Sequence, residues 1–117
     1  MAHTINLLIV DDSERMRRMI KRLIKSVLAE VWECSDGSQA LEAYTNHHPD
    51  WVLMDIEMKD VDGITATREI VTAFPDARIV IVSNYESDEL REAAAAAGAT
   101  NYVGKENLIE LRRILGG

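Results

Sequence analysis

The 117-residue chain predicts an α/β fold: five βα units, (βα)5, wound into a five-stranded parallel sheet of order 2-1-3-4-5 with helices on both faces. Three observations carry that prediction. Short apolar runs alternate with helix-forming stretches five times, and this pattern calls for right-handed crossovers onto one parallel sheet. Four of the runs stop abruptly beside a polar or charged residue: Asp11-Asp12, Asp55, Ser83 and, after Gly104, Lys105. The second run alternates and is weaker, as an edge strand should be.

Ile5-Asn6-Leu7-Leu8-Ile9-Val10 reads as the first strand and delivers Asp11 and Asp12 to its carboxyl end. Ser13 is placed to cap the following helix. Met16, Met19, Ile20, Leu23, Ile24, Val27 and Leu28 recur at three- and four-residue spacing and draw one apolar stripe along it. Arg15, Arg17, Arg18, Lys21, Arg22 and Lys25 fill the rest of that helix against Glu14 alone, leaving seven bases and nineteen acids elsewhere. Such a run is ordinarily a solvated face; a docking surface for an acidic partner is the sharper reading.

Val31-Trp32-Glu33-Cys34 is the edge strand, and Asp36 with Gln39 forms a capping pair for a helix over Ser38 to Asn46. Asn46 to Asp50 reads as a loop in which Pro49 stops the helix, and its His47 and His48 are read as solvent-facing rather than metal-binding. Trp51-Val52-Leu53-Met54 is the central strand, apolar on both faces, and it stops on Asp55. A polar loop leads to Asp62, the cap of a helix from Gly63 to Phe74 that Pro75 ends. Arg78 to Val82 is the fourth strand, with Ser83 at its end. Ser87 or Asp88 opens an alanine-rich helix, Glu89 to Ala97, closed by Gly98. Leu90 is its only large apolar side chain, so it is expected to dock loosely. Asn101-Tyr102-Val103 is a short fifth strand, and a last helix runs from Asn107 to Leu115.

Length and composition (47% hydrophobic, 28% charged) fit one domain over residues 1–117 with an ordinary core. A net charge of −7 argues against nonspecific binding of nucleic acid by this domain. The single cysteine, Cys34, excludes an internal disulfide framework and fits a reducing cytoplasm. The amino terminus lacks the basic region of a signal peptide, and no apolar stretch approaches the roughly 20 residues of a membrane span.

In the expected topology Asp11, Asp12, Asp55, Ser83 and Lys105 share one rim of the sheet, where open α/β folds bind ligands. Any one of these residues alone would be read as a cap or a solvated loop residue. Three converging carboxylates repel one another and call for a cation; a shallow oxygen-donor site suits Mg²⁺. A metal, a lysine and a hydroxyl around a carboxylate describe a site for phosphoryl transfer onto Asp55.

With these residues in place the chain resembles the CheY-like receiver domains of two-component response regulators, from about Ile5 to Leu115. The motifs that carry the resemblance are Val10-Asp11-Asp12, Met54-Asp55-Ile56-Glu57-Met58, Asp62-Gly63, Val82-Ser83 and Tyr102-Val103-Gly104-Lys105. The resemblance implies that Asp55 accepts a phosphoryl group from a histidine kinase or a histidine phosphotransfer protein. It implies Mg²⁺ held directly by Asp12, Asp55 and the backbone carbonyl of Glu57, with Asp11 acting largely through water. Ser83 and Lys105 would hold the phosphoryl oxygens, Tyr102 matches the aromatic switch position, and Glu57 and Tyr85 stand where receivers tune phosphoaspartate lifetime. Receivers are not conventional enzymes; they catalyse their own phosphorylation and dephosphorylation. Many dimerise through the last two helices and fifth strand, where Glu89, Arg91, Glu110, Arg112 and Arg113 would either serve such pairing or simply be solvated.

Two positions depart from the common receiver pattern. Lys59 stands where many receivers have proline, and Lys105 precedes Glu106 rather than a proline that takes a cis bond. A cis bond without proline costs about 3 kcal/mol, so a trans bond or a rearranged loop is expected. The Val103-Gly104-Lys105-Glu106-Asn107-Leu108 segment resembles receivers of LuxR-type DNA-binding regulators, and Leu115-Gly116-Gly117 reads as a linker start. The output implied is therefore transcriptional; a stand-alone regulator or phosphate sink acting by protein binding is the alternative. A pseudo-receiver that is never phosphorylated is disfavoured by the presence of all five site residues. Other readings fare worse. A haloacid-dehalogenase-type phosphatase wants a second aspartate where Glu57 stands, a calcium loop fails at Met58, and a dinucleotide domain lacks its glycine-rich turn.

Overall fold

The computed structural model describes residues 4–116. Five parallel strands, β1 (Ile5–Val10), β2 (Leu28–Cys34), β3 (Trp51–Met54), β4 (Ile79–Ser83) and β5 (Asn101–Gly104), form one sheet in the order β2-β1-β3-β4-β5. The helices are α1 (Glu14–Leu23), α2 (Ala40–His47), α3 (Gly63–Ala73), α4 (Asp88–Ala97) and α5 (Glu110–Gly116). This is the architecture and strand order expected from the sequence.

Side-chain alternation along the strands decides which helix covers which face. Leu7, Ile9, Leu53, Val80, Val82 and Val103 pack with Ile20 and Ile24 beneath α1 and with Leu111 and Leu115 of α5. Leu8, Val10, Val52, Met54, Ile79 and Ile81 pack on the opposite face with Ala40 and Tyr44 of α2, Ala66 and Ile70 of α3, and Ala94 of α4. Each large aliphatic side chain buried this way contributes about 1.5–3 kcal/mol. The parallel register sets Val10 beside Met54, and Ser83 beside Gly104, so the polar strand ends emerge along one rim.

Three regions depart from the expected boundaries by more than one residue, and the other ends shift by one at most. The apolar stripe of α1 overran its helix, which ends at Leu23. A 3-10 turn follows over Lys25–Val27, and Leu28 already belongs to β2, paired with Ile5. Val27 and Leu28 still pack beneath α1, so burial made the stripe and periodicity alone misread its conformation. Asp36 caps a 3-10 turn, Gly37–Gln39, instead of opening α2 itself, while the Gln39 side chain accepts the Ser35 N–H as a reciprocal cap. Residues 105–107 form another 3-10 turn, so α5 begins at Glu110 and not at Asn107.

The caps on Ser13, Asp62 and Ser87 are as expected, each accepting the N–H three residues on. Gly98 closes α4 at φ 106°, a conformation that favours glycine. α4 buries only Ala94 and Ala97 fully. His47 and His48 are exposed, and His47 stacks on Trp32 with ring centroids 4.4 Å apart. Of the α1 bases, Arg17 and Lys21 pair with Glu33 on β2 at 2.9 and 2.8 Å, and Lys21 chiefly holds that carboxyl below its usual range. No helix among the described residues is long and apolar enough to cross a membrane.

Candidate functional site

β1, β3, β4 and β5 each end at the same cleft, which Asp12, Ser13, Met16, Asp55, Glu57, Ser83, Asn84, Tyr85 and Lys105 line. Asp11 and Asp55 are buried, whereas Asp12 is exposed at the mouth. Carboxylate oxygens of the three aspartates lie within 4.8 Å of one another. Lys105 reaches in from the end of β5, its Nζ 3.2 Å from Asp11 Oδ2 and 3.3 Å from Asp55 Oδ1. The described residues contain no cis peptide bond, so the Lys105–Glu106 bond is trans, as expected, and Lys105 still reaches both acids.

The backbone makes this convergence rigid. The Asp55 N–H donates to the Val10 carbonyl, and the Asp11 N–H donates to Cys34, so both acids extend the sheet's own ladder. Asp11 Oδ1 accepts the Ser13 N–H, and Arg17 donates to the Asp11 carbonyl. Gly63, at the start of α3, lies so close to Asp55 that an added Cβ would stand 1.8 Å from the Asp55 carbonyl oxygen. Glycine is required there by close approach, not by backbone angle.

Electrostatics follow from burial and crowding. Desolvation first, and the Asp11 charge second, push the Asp55 carboxyl up to about 6, with Lys105 only partly opposing them. Burial alone would lower the Lys105 ammonium, but Asp11 and Asp55 outweigh it and hold its affinity for the proton above the ordinary value. One lysine against three clustered carboxylates leaves the site short of positive charge. An all-oxygen donor set around that deficit fits a hard divalent cation such as Mg²⁺.

Ser83 is buried at the end of β4, and its Oγ accepts the Tyr85 N–H at 3.0 Å. Glu57 and Tyr85 are exposed on the cleft wall. Tyr102 is half-buried on β5; its hydroxyl donates to the Tyr85 carbonyl, and the Arg91 guanidinium lies over its ring, 4.7 Å from the centroid. Arg91 in turn pairs with Glu86 at 2.8 Å. All eight residues singled out in the sequence are thus on this rim or directly tied to it.

Sequence reasoning gave Asp36 only a capping role. Its buried carboxylate also accepts the Asp60 and Val61 N–H groups across 24 and 25 residues of chain, on the loop that follows Asp55. The Asp36-Gly37 pair after an edge strand was the available signal, and it was read locally. Met16 and Asn84, which also line the cleft, carried no signal.

The family profile described as the response regulator receiver domain matches residues 7–115. The chemotaxis protein CheY of Bacillus subtilis is 44% identical over 106 residues, 90% of this chain and 87% of that protein. A two-component response regulator of the LuxR family from Aurantimonas superimposes with a TM-score of 0.89 at 34% identity, covering 94% of this chain and 81% of that one. CheY of Borrelia burgdorferi, solved in a CheX-CheY-BeF3-Mg²⁺ complex, superimposes with a TM-score of 0.87 at 28% identity, covering 92% and 84%. The alternation of strands and helices, the acidic rim and these matches agree: the chain belongs to the response regulator receiver domain family of two-component signalling.

Proposed function

We propose that this chain is a single receiver domain that works as a phosphorylation-dependent switch, with Asp55 as the phosphoacceptor. The observation that carries the reading is the convergence of Asp11, Asp12, Asp55 and Lys105, with the lysine 3.2 and 3.3 Å from two of the acids. Asp55 Oδ1 already accepts the Ile56 N–H at 2.9 Å and faces Lys105, which leaves Oδ2 to attack phosphorus. The donor is the phosphohistidine of a histidine kinase or histidine phosphotransfer protein. The P–N bond breaks as the O–P bond forms, and the imidazole nitrogen leaves with the bonding pair and takes up a proton.

Asp12, Asp55 and the Glu57 carbonyl would hold Mg²⁺, with Asp11 acting through water, and the bound cation would supply positive charge to offset that of the phosphoryl oxygens. Lys105 and the Ser83 hydroxyl take the remaining phosphoryl oxygens. Ser83 Oγ keeps its own proton to donate while it accepts from the Tyr85 N–H, so drawing Ser83 inward draws the loop. Tyr102, tied to that loop through the Tyr85 carbonyl, transmits the movement to the face made by α4, β5 and α5. Glu57 and Tyr85, exposed over the cleft, set how easily water reaches the phosphoaspartate.

The output is transcriptional in this reading, through a DNA-binding partner domain in the cytoplasm, supported by the likeness to a LuxR-family receiver. The domain itself, at a net charge of −7, does not grip DNA, and phosphorylated copies pair through the α4-β5-α5 face. A stand-alone regulator acting on a target protein is the second reading, supported by 44% identity across 87% of the Bacillus subtilis CheY.

Intact mass after incubation with acetyl phosphate and Mg²⁺ tests the phosphoacceptor. A phosphoryl-sized gain is expected in the wild type, and none in Asp55→Asn or with a chelator. No gain in the wild type despite bound metal would sink the reading in favour of a pseudo-receiver.

A further inference from the structure

Asp36 lies at the end of β2, the strand farthest from Lys105, in the turn that leads to α2. Its carboxylate is buried at 8% exposure, and three backbone N–H groups point at it: Ser38 at 2.8 Å, Asp60 at 2.9 Å and Val61 at 3.2 Å. One donor closes the local cap; the other two come from the tip of the loop between Asp55 and α3. A cap needs one acceptor contact, so two-thirds of this carboxylate's hydrogen bonding serves a segment it has no local reason to touch.

A second, independent feature makes the same contact. Gly37, the next residue, lies so close to this loop that an added Cβ would stand 2.3 Å from the Val61 carbonyl oxygen. The neighbouring main chain therefore receives the loop tip at a distance only glycine permits. At its base the loop is closed by the Gly63 N–H on the Ile56 carbonyl at 2.8 Å. Between base and tip lies Glu57, whose carbonyl is free of either anchor.

We propose that Asp36, with Gly37, is a positioning element for the phosphoacceptor site: it clamps the loop tip from behind and so fixes the Glu57 carbonyl where a divalent cation needs it. The inference rests on the reading of Asp11, Asp12, Asp55 and Glu57 as the Mg²⁺ site. Asp36 does not approach the cation or the phosphoryl group; it acts through five residues of main chain. The N–H groups of Asp60, Ser38 and Val61 hold its carboxyl well below the usual carboxylate range, so the clamp stays charged at any pH where the protein works. Charge matters because an N–H donating to a carboxylate makes a shorter, stronger bond than one donating to an amide.

The experiment is a Mg²⁺ titration by calorimetry on the wild type, Asp36→Asn, Gly37→Ala and Ile70→Val. Asp36→Asn keeps the shape and removes the charge. Gly37→Ala keeps the charge and pushes on Val61. Ile70→Val is a buried truncation in α3 that destabilises the fold while leaving the Asp36 hydrogen bonds and the Gly37 contact in place. Asp36→Asn and Gly37→Ala are each expected to weaken Mg²⁺ binding about tenfold, the scale seen when a group that orients a metal ligand is removed. In acetyl phosphate reactions the half-saturating Mg²⁺ concentration rises accordingly, while the rate at saturating Mg²⁺ changes much less. Without metal, the Asp60 and Val61 amides of Asp36→Asn exchange with solvent faster than in the wild type.

Unchanged Mg²⁺ affinity in both clamp variants, with cooperative unfolding retained, would overturn the inference. So would an equal loss in Ile70→Val, since general destabilisation would then account for it. A wild type that binds no Mg²⁺ would bring down the metal-site reading itself, and the amide exchange result would then show separately whether the clamp exists. If Asp36→Asn does not fold, Gly37→Ala with its intact charge decides the matter alone.

Discussion

Two loops flank Asp55, and they are held to different degrees. The loop from Ile56 to Asp62 is fastened by main-chain groups: the Ile56 carbonyl takes the Gly63 N–H, and the Asp60 and Val61 N–H groups end on the buried Asp36 carboxylate. The loop from Asn84 to Ser87 shares one such contact, the Tyr85 N–H on the buried Ser83 Oγ, but is otherwise fastened by more exposed side chains: the Tyr102 hydroxyl on the Tyr85 carbonyl, and Glu86 on Arg91. The Glu86 and Arg91 side chains are 36% and 43% exposed, where an ion pair contributes little. Fixing a main-chain group to a buried acceptor leaves one geometry, because breaking it strands polar groups away from water. The partly exposed Tyr102, Glu86 and Arg91 side chains exchange their contacts for water at smaller cost, so the loop beyond Tyr85 has more than one arrangement within reach. In the proposed reading the first loop is the platform for the metal and the second the moving part.

The sharpest way to break this contrast is to disturb the platform at its tightest point. Gly63→Ala sets a methyl group against the Asp55 carbonyl, which only main-chain movement relieves. A loss of about 3 kcal/mol in urea unfolding is expected, the upper end of overpacking. A loss under about 1 kcal/mol would mean the platform yields easily.

The carboxylate between the loops gives a smaller, pH-dependent effect. Folding raises the Asp55 carboxyl from the ordinary 3.8 to about 6, so between those values the folded chain holds a proton that the unfolded chain has released. Stability of the metal-free protein therefore falls as pH rises through this window. The fall from pH 5 to 7.5 is on the order of 1 kcal/mol by this linkage, absent in Asp55→Asn and removed by Mg²⁺. Glu33 and Asp36 are shifted downward from 4.5 and 3.8, so they act with the opposite sign and chiefly below pH 5, whereas Lys105, shifted upward, keeps its proton throughout. Urea unfolding in chelator at the two pH values checks the sign; a rise in stability with pH would contradict it.

The moving part should give the smallest losses. Tyr102→Phe removes one hydrogen bond and is expected to cost about 0.5–1 kcal/mol, with faster amide exchange at residues 84–87 and unchanged Mg²⁺ affinity. Arg91→Ala removes an exposed ion pair and the contact over the Tyr102 ring, for about 0.5 kcal/mol. If Tyr102→Phe weakened Mg²⁺ binding as much as the Asp36 change does, the two loops would not be mechanically distinct.

Much of this was legible in the chain itself. Strands β1, β3 and β4 are apolar on both faces, so their runs stood out and their polar ends gave Asp11, Asp12, Asp55 and Ser83 directly. The caps at Ser13, Asp62 and Ser87 were readable because each satisfies an N–H three residues away. Misreadings fell where burial and conformation part company. Val27 and Leu28 continue the apolar stripe of α1, yet β2 recruits Leu28 because pairing with β1 satisfies its main chain as well as its side chain. α5 begins late, after a 3-10 turn, and its first polar residues carry no periodicity to mark the break.

The sequence by itself determined the fold class, the strand order and the five polar residues at four strand ends, because these follow from local hydrophobic patterning and from the few connections a parallel sheet allows. Only the tertiary structure decided how Asp55 is tuned, since its proton affinity depends on burial and on Asp11 across 44 residues of chain. Only the tertiary structure, too, distinguished the two loops. Asp36 reaches Asp60 and Val61 across 24 and 25 residues, and Tyr102 reaches Tyr85 across 17. Such contacts join residues that share no local pattern; packing of the sheet and its helices brings them together, and a sequence read one window at a time does not contain that geometry.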